Sequence, residues 1–320
     1  MAGIFTVCRK ELYDHFGSKR YLILFAFILL LSSVSAYQGA EYIKNNPQAG
    51  FLAIFSGTQF GFSFVQLMVF FGPIVGLVLG FDAINKERTS GTLSVLLSQP
   101  IFRDSVINGK FLAGAAALAT LTVSTIGIMC GVVIPVLGFG PTLEQALSIV
   151  LLSLLTILYL AFWLSLGMLF SVLTKKVSTS TLASVAVWLF CAIMIPILAQ
   201  LIANQIVPSP IALRGSEGFN PQQSQEFRAL IQQRFVIQSS ISKLSPTYLY
   251  SEVASSILGV TQRGGLFGLD LGGAQPFRAL TVTQSVAASW PSVAAIAAGL
   301  VVCFAASYMM FIRSEIRPGG

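Results

Sequence analysis

The stretch of this sequence richest in side chains able to do chemical work is Asp82–Lys110. An acidic–basic pair, Glu87-Arg88, precedes Gly91-Thr92-Leu93; Leu96, Leu97, Pro100, Arg103 and Gly109-Lys110 follow. These residue types make contacts rather than break bonds. Leu93, Leu96 and Leu97, spaced i, i+3 and i+4, share one face of a short helix; Gly91 allows the chain to change direction before it and Pro100 stops it. Three leucines on a water-facing surface need a cover, either a groove on another protein or the ends of the chain's own apolar segments. Their burial contributes about 1.5–3 kcal/mol each before association costs. A surface that transmits force would require such features, and packing against the chain's own span ends would use them equally.

Covalent chemistry finds little support. His15 is the only histidine, so neither HExxH zinc chemistry nor a Ser/His hydrolase can be assembled within the chain. Gly109-Lys110 is followed by Phe111 and lacks the earlier glycine of a phosphate loop, so ATP hydrolysis of that type is not expected of this polypeptide. Glu217, Glu226, Glu252 and Asp270 are scattered without metal-ligand spacing, and Cys8, Cys130, Cys191 and Cys303 form no CxxC. No catalytic residue, metal site or bound cofactor is expected.

The elements that must position the Asp82–Lys110 stretch are membrane spans. Of 320 residues, 55% are hydrophobic and 10% charged, with a mean hydropathy of +0.80; that is too little polar side chain to cover a water-soluble globule. Six apolar runs, at about 21–39, 62–82, 111–137, 146–172, 180–204 and 291–312, each have the length of a transmembrane helix and carry no charged residue short of Asp82, the last of the second run. They lack the alternation of barrel strands. Lys and Arg concentrate in the segments that lie inside if the N-terminus is inside, whereas the short outer loops receive only Lys44. A multi-pass protein of the cell (inner or plasma) membrane with both termini cytoplasmic is expected. The net charge of +7 then reflects topology and attraction to anionic lipid, with no nucleic-acid partner. Val34-Ser35-Ala36 would suit signal-peptide cleavage, but a 20-residue amphipathic leader is unlike a short basic signal.

The expected fold class is therefore all-α. Residues 1–20 form an amphipathic interfacial elbow helix, with Ile4, Phe5, Cys8, Leu12 and Phe16 on one face and Arg9, Lys10, Glu11 and Asp14 on the other. Residues 21–204 carry helices one to five with a cytoplasmic loop at 83–110. Residues 205–290, richer in Gln, Ser, Gly and Arg, form a helical extracytoplasmic subdomain, and 291–320 the last span and a short tail. Within the subdomain an amphipathic helix is expected over about 221–244. A second opens at Ser245-Pro246 and ends at Gly259, and the Gly-rich stretch 264–273 is a loop. Thr120, Thr122, Ser124 and Thr125 in the third span, with Gln200 and Asn204 in the fifth, are either path-lining groups or hydroxyls and amides used in helix packing.

The run Asp82…Glu87-Arg88-Thr-Ser-Gly91-Thr92-Leu93…Leu96-Leu97-Ser-Gln-Pro100…Arg103…Gly109-Lys110 resembles the signature of type-two ABC exporter permeases, including NosY-like membrane subunits. The leader Cys8-Arg9-Lys10-Glu11-Leu12 is similar to that family's elbow helix, and Ser245–Tyr250 resembles a stretch before the last span. The resemblance implies a permease that couples hydrolysis by a separate ABC ATP-binding subunit to export of a substrate the sequence does not name. It places the coupling helix at about 86–100, with Glu87 and Arg88 as polar contacts and Leu93, Leu96 and Leu97 as the apolar seat. ATP and Mg would sit on the partner ATPase, and a second permease copy or a paralogue would complete the unit in the membrane lipid. A membrane anchor or signalling subunit using the same loop without moving a solute is the alternative.

Overall fold

The computed structural model describes residues 2–46, 49–56, 63–91, 102–207, 221–259 and 282–313. The described residues contain helices and no strand, and six helices are long and apolar enough to cross a membrane. In hydrocarbon each backbone N–H and C=O must be satisfied within its own segment, and runs of about 20 apolar residues achieve this as helices.

The leader is α1 (Ala2–Gly17), and Ser18 separates it from the first span, α2 (Lys19–Asn45). A single turn, α3 (Ala53–Ser56), precedes the second span, α4 (Phe64–Gly80). Ser63 caps α4 in a reciprocal box with Gln66, satisfying donors that lipid cannot. After a turn the second span continues into α5 (Asn85–Thr89). The third span, α6 (Arg103–Leu137), starts a full two turns before its apolar run. The fourth, α7 (Leu143–Leu173), is capped by a Thr142–Gln145 box. The fifth consists of α8 (Val177–Leu189), a π turn at Phe190–Met194 and α9 (Ile195–Ile206). Then come α10 (Pro221–Ser242), α11 (Pro246–Leu258) and the last span within α12 (Val282–Arg313).

α7 is the centre of the bundle and packs against α4, α6, α11 and α12. Its contact with α4 is backbone-close because Gly72, Gly76 and Gly80 line one face of α4. A Cβ at Gly80 would stand 2.5 Å from the Leu164 carbonyl oxygen and 3.0 Å from Gly167 Cα. Small residues let transmembrane helices approach this way and gain dispersion contacts that lipid would otherwise supply.

α1 lies along the base of α6, and its faces differ from those the hydrophobic pattern predicts. Val7 and Glu11 are buried, while Phe5 and Phe16 are exposed. A helical wheel assigns Glu11 to water; the opposing helix supplies a cation that draws it inward. At the other end of the bundle α10 packs on α9. α11 enters among α7, α12 and the π turn, with Leu249, Tyr250, Val253, Ala254, Ile257 and Leu258 buried. Ser245 precedes α11, Pro246 is its first residue, and Gly259 ends it in the left-handed region at φ 65°, as the sequence predicts. The expected loop at 264–273 lies outside the described residues.

Candidate functional site: a buried ionic node at the base of the second and third spans

Gly109 is the starting point. A Cβ there would lie 2.8 Å from Val7 Cβ, so only glycine permits α1 to lie this close to α6. The close approach brings the next residue of α6, Lys110, opposite Glu11, one turn after Val7. Lys110 is 5% exposed. Its ammonium group donates to Glu11 Oε1 at 2.8 Å and to Glu87 Oε1 at 2.8 Å. Lys10 joins from α1, donating to Glu11 Oε1 at 3.1 Å and lying 3.8 Å from Glu87 and 3.6 Å from Asp14. Two lysines and two carboxylates thus link α1, α5 and α6.

A buried charge is retained where its partners satisfy it, and breaking such a pair leaves an uncompensated ion. Burial pushes the Glu11 carboxyl up, but the Lys110 and Lys10 ammonium groups outweigh it and leave the group below its ordinary value. Burial also lowers Lys10, yet its acidic neighbours, Glu11 first, hold it above its ordinary value. His15, one turn further along α1, is pushed down chiefly by burial, with Glu11 opposing and Lys110 assisting.

The same short segment is fastened on its other side. Ser171 Oγ accepts the backbone N–H groups of Ile84 and Asn85 at 3.0 and 3.1 Å. The fully buried Asn85 donates through Nδ2 to Thr174 Oγ1 at 2.9 Å, and Arg88 donates to the Thr174 carbonyl at 3.3 Å. Residues 84–88 are therefore held at once by the end of α7, the base of α6 and the leader helix. The chain leaves this anchor after α5 through Gly91, at φ 72°. It re-enters at Arg103, which donates to the Ile312 carbonyl of α12 at 3.4 Å.

Residues 5–316 match the model of the ABC-2 family transporter protein. The chain belongs to the ABC-2 family. This ABC-2 protein is also similar to two proteins described as probable ABC transporter permease protein NosY. The one from Pseudomonas aeruginosa is 31% identical over 147 residues, covering 46% of this chain and 50% of that protein. The one from Stutzerimonas stutzeri is 28% identical over 192 residues, covering 60% and 58%. The chain thus spans about half the length of the curated relatives it matches.

Of the loop residues singled out from the ABC-2 protein's sequence, Glu87, Arg88, Gly91 and Arg103 fall at the anchored entry and exit. Thr92, Leu93, Leu96, Leu97 and Pro100 lie outside the described residues. The candidate path residues are not gathered into one site. Thr120 and Thr122 donate to carbonyls one turn back, as does Thr125. Ser124 is half-buried. Asn204 accepts from Arg234 of α10, and Gln200 is half-buried one turn away on α9.

Lys110 lies just before the apolar run of the third span, where the sequence puts it, but the helix reaches back to Arg103 and buries it. Asn85, Ser171 and Thr174 were missed as well. Only the Gly-Lys pair before an apolar run signalled the node in the sequence.

Proposed function

We propose that this chain is the membrane permease subunit of an ATP-driven ABC transporter of the exporting kind. In this reading a separate ATP-binding subunit, carrying ATP and Mg, docks on the loop at about 86–100. A second permease copy or a paralogue completes the pathway. The chain itself hydrolyses nothing. The observation that carries this reading is the anchoring of residues 84–88. A push that arrives at Gly91 enters a segment already fastened, because residues 85–88 are tied by Glu87 to Lys110 and by Asn85 and Arg88 to the end of α7. Displacement passes directly into α4, α6 and α1, with both termini and the docking loop on the cytoplasmic side. Leu93, Leu96 and Leu97 are proposed as the apolar seat, with Glu87 and Arg88 as polar contacts that hold the loop. Thr120 and Ser124 of α6 and Gln200 and Asn204 of α9 are path-lining groups at the boundary between two permease subunits. An amphiphilic cargo suits these spans.

The test is purification of the tagged full chain from its native membrane in mild detergent, followed by assay of MgATP hydrolysis. A subunit with a phosphate loop should accompany the wild type. Leu96→Asp should weaken that association at least about tenfold, since one leucine's burial is worth about 1.5–3 kcal/mol. Absence of the ATPase from the wild-type preparation, or full retention of it by Leu96→Asp, defeats the reading.

A further inference from the structure

Beside the ionic node a cleft of about 790 Å³ opens between the end of α1, the start of α2 and the α4–α5 junction. Its walls carry both charge and hydrocarbon: Lys19, Arg20 and Lys86 stand with Tyr21, Val78 and Leu79. Every carboxylate on its wall has a cation within 4 Å. Glu11 and Glu87 have Lys110, Asp14 has Lys10 at 3.6 Å, and Asp82 has Arg20 at 3.6 Å. Lys19 and Lys86 have no ion-pair partner within 4 Å among the described residues, although Lys86 stands near enough to Asp82 to act on its charge, and the five basic side chains on the wall exceed its four carboxylates by one.

The start of α2 adds to that surplus. The helix dipole makes an N-terminus positive, yet the first turn of α2 holds Lys19 and Arg20 and no acid, and the Ser18 side chain makes no cap hydrogen bond. Cations at a helix start are unfavourable unless an anion sits among them. The surroundings identify its source. Leu22, Ile23 and Phe27, which follow the cleft residues Lys19–Tyr21 along α2, are exposed, as are Phe5, Tyr13 and Phe16 of α1. An anion here therefore has acyl-chain contacts available immediately beneath it, as at a membrane interface with aromatic anchors.

We propose that this cleft binds the headgroup of an anionic phospholipid, its phosphate held by Lys19, Lys86 and the free N-terminus of α2, and its chains lying along α2. The site shares Lys86 with the start of the loop on which the ATP-driven reading seats its partner, but lipid binding needs no partner subunit.

The experiment titrates the purified, delipidated full chain in neutral detergent with phosphatidylglycerol or phosphatidylcholine of equal chain length. Bound lipid is counted by native mass spectrometry. Phosphatidylglycerol is expected to bind one copy preferentially, and excess inorganic phosphate should leave it in place. Each basic residue near an anionic lipid is worth about fivefold, so Lys19→Gln/Lys86→Gln should cost on the order of 25-fold in affinity for phosphatidylglycerol. Lys175→Gln/Lys176→Gln, at the same end of the bundle but outside the cleft, should keep it. Both sets of lysines are exposed, so folding should survive, and Lys86→Gln alone carries the test if the double variant does not purify intact. Equal binding of the two lipids, equal loss in both double variants, or displacement by inorganic phosphate overturns the proposal. The last outcome would make this a site for a free anion.

Discussion

The two ends of this bundle are held by different chemistry. At the base of α6 the contacts are ionic and buried: Lys110 between Glu11 and Glu87, both at 2.8 Å. At the far end, where α11 enters the bundle, the fully buried contacts are neutral, and the ion pair Lys243–Glu252, at 3.1 Å, is half-exposed. Tyr250 stacks on Tyr159 with ring centroids 4.4 Å apart, and its hydroxyl lies 3.0 Å from Thr156 Oγ1. The Thr156 proton is already committed to the Leu152 carbonyl, so Tyr250 is the donor. Tyr159 donates to the Val69 carbonyl of α4, and Ser245 to the Cys191 carbonyl in the π turn. A neutral hydroxyl contact can be exchanged for a neighbour at small cost, whereas a buried ion separated from its partner is strongly unfavourable. The ionic end is therefore costly to pull apart and the neutral end cheap to rearrange, a division set by the chemistry of their contacts.

Three experiments probe this division. The largest effect is expected for Lys110→Met, which leaves Glu11 and Glu87 buried against each other. A loss of about 3–5 kcal/mol should appear in thermal or denaturant unfolding in detergent. An intermediate effect should come from acid. Glu11 lies below its ordinary value of 4.5 in the folded chain. Its stabilising contribution is thus complete above 4.5 and is lost as pH falls through the lower folded value. Protonating it still leaves Glu87 on Lys110, so the loss should be smaller than in Lys110→Met, and that variant should lack the transition. The smallest effect is expected at the neutral end. Tyr250→Phe keeps the stack and removes one hydroxyl contact, for about 0.5–1.5 kcal/mol by the same unfolding measurement. A cost for Tyr250→Phe that matched Lys110→Met would erase the contrast between the ends.

The spans were legible in the sequence because lipid imposes a one-dimensional rule: a run of about 20 apolar residues without charge is a helix. The limits of α11 were legible for a similar reason, since Ser245-Pro246 and Gly259 act through local backbone geometry. The ionic node was not. Glu11 looks solvent-facing until the glycine at 109 brings α6 against α1, and Lys110 looks like a flanking anchor until α6 extends back to Arg103. Both readings depend on a neighbour distant in sequence. The same holds for Ser171 and Thr174, ordinary hydroxyls at the end of a span that become the clamp of Asn85.

The π turn at Phe190–Met194 has a consequence for helical phase. Ser184 and Ala203 are both buried, although nineteen residues separate them. At 3.6 residues per turn an uninterrupted α-helix would rotate them roughly 100° apart. The wider turn absorbs about one residue of advance and brings the two back into line. The fifth span thus presents a single inward side from Ser180 to Ala203, and winding the same residues as an uninterrupted α-helix would swing everything beyond the π turn, α9 included, roughly 100° out of register with α10.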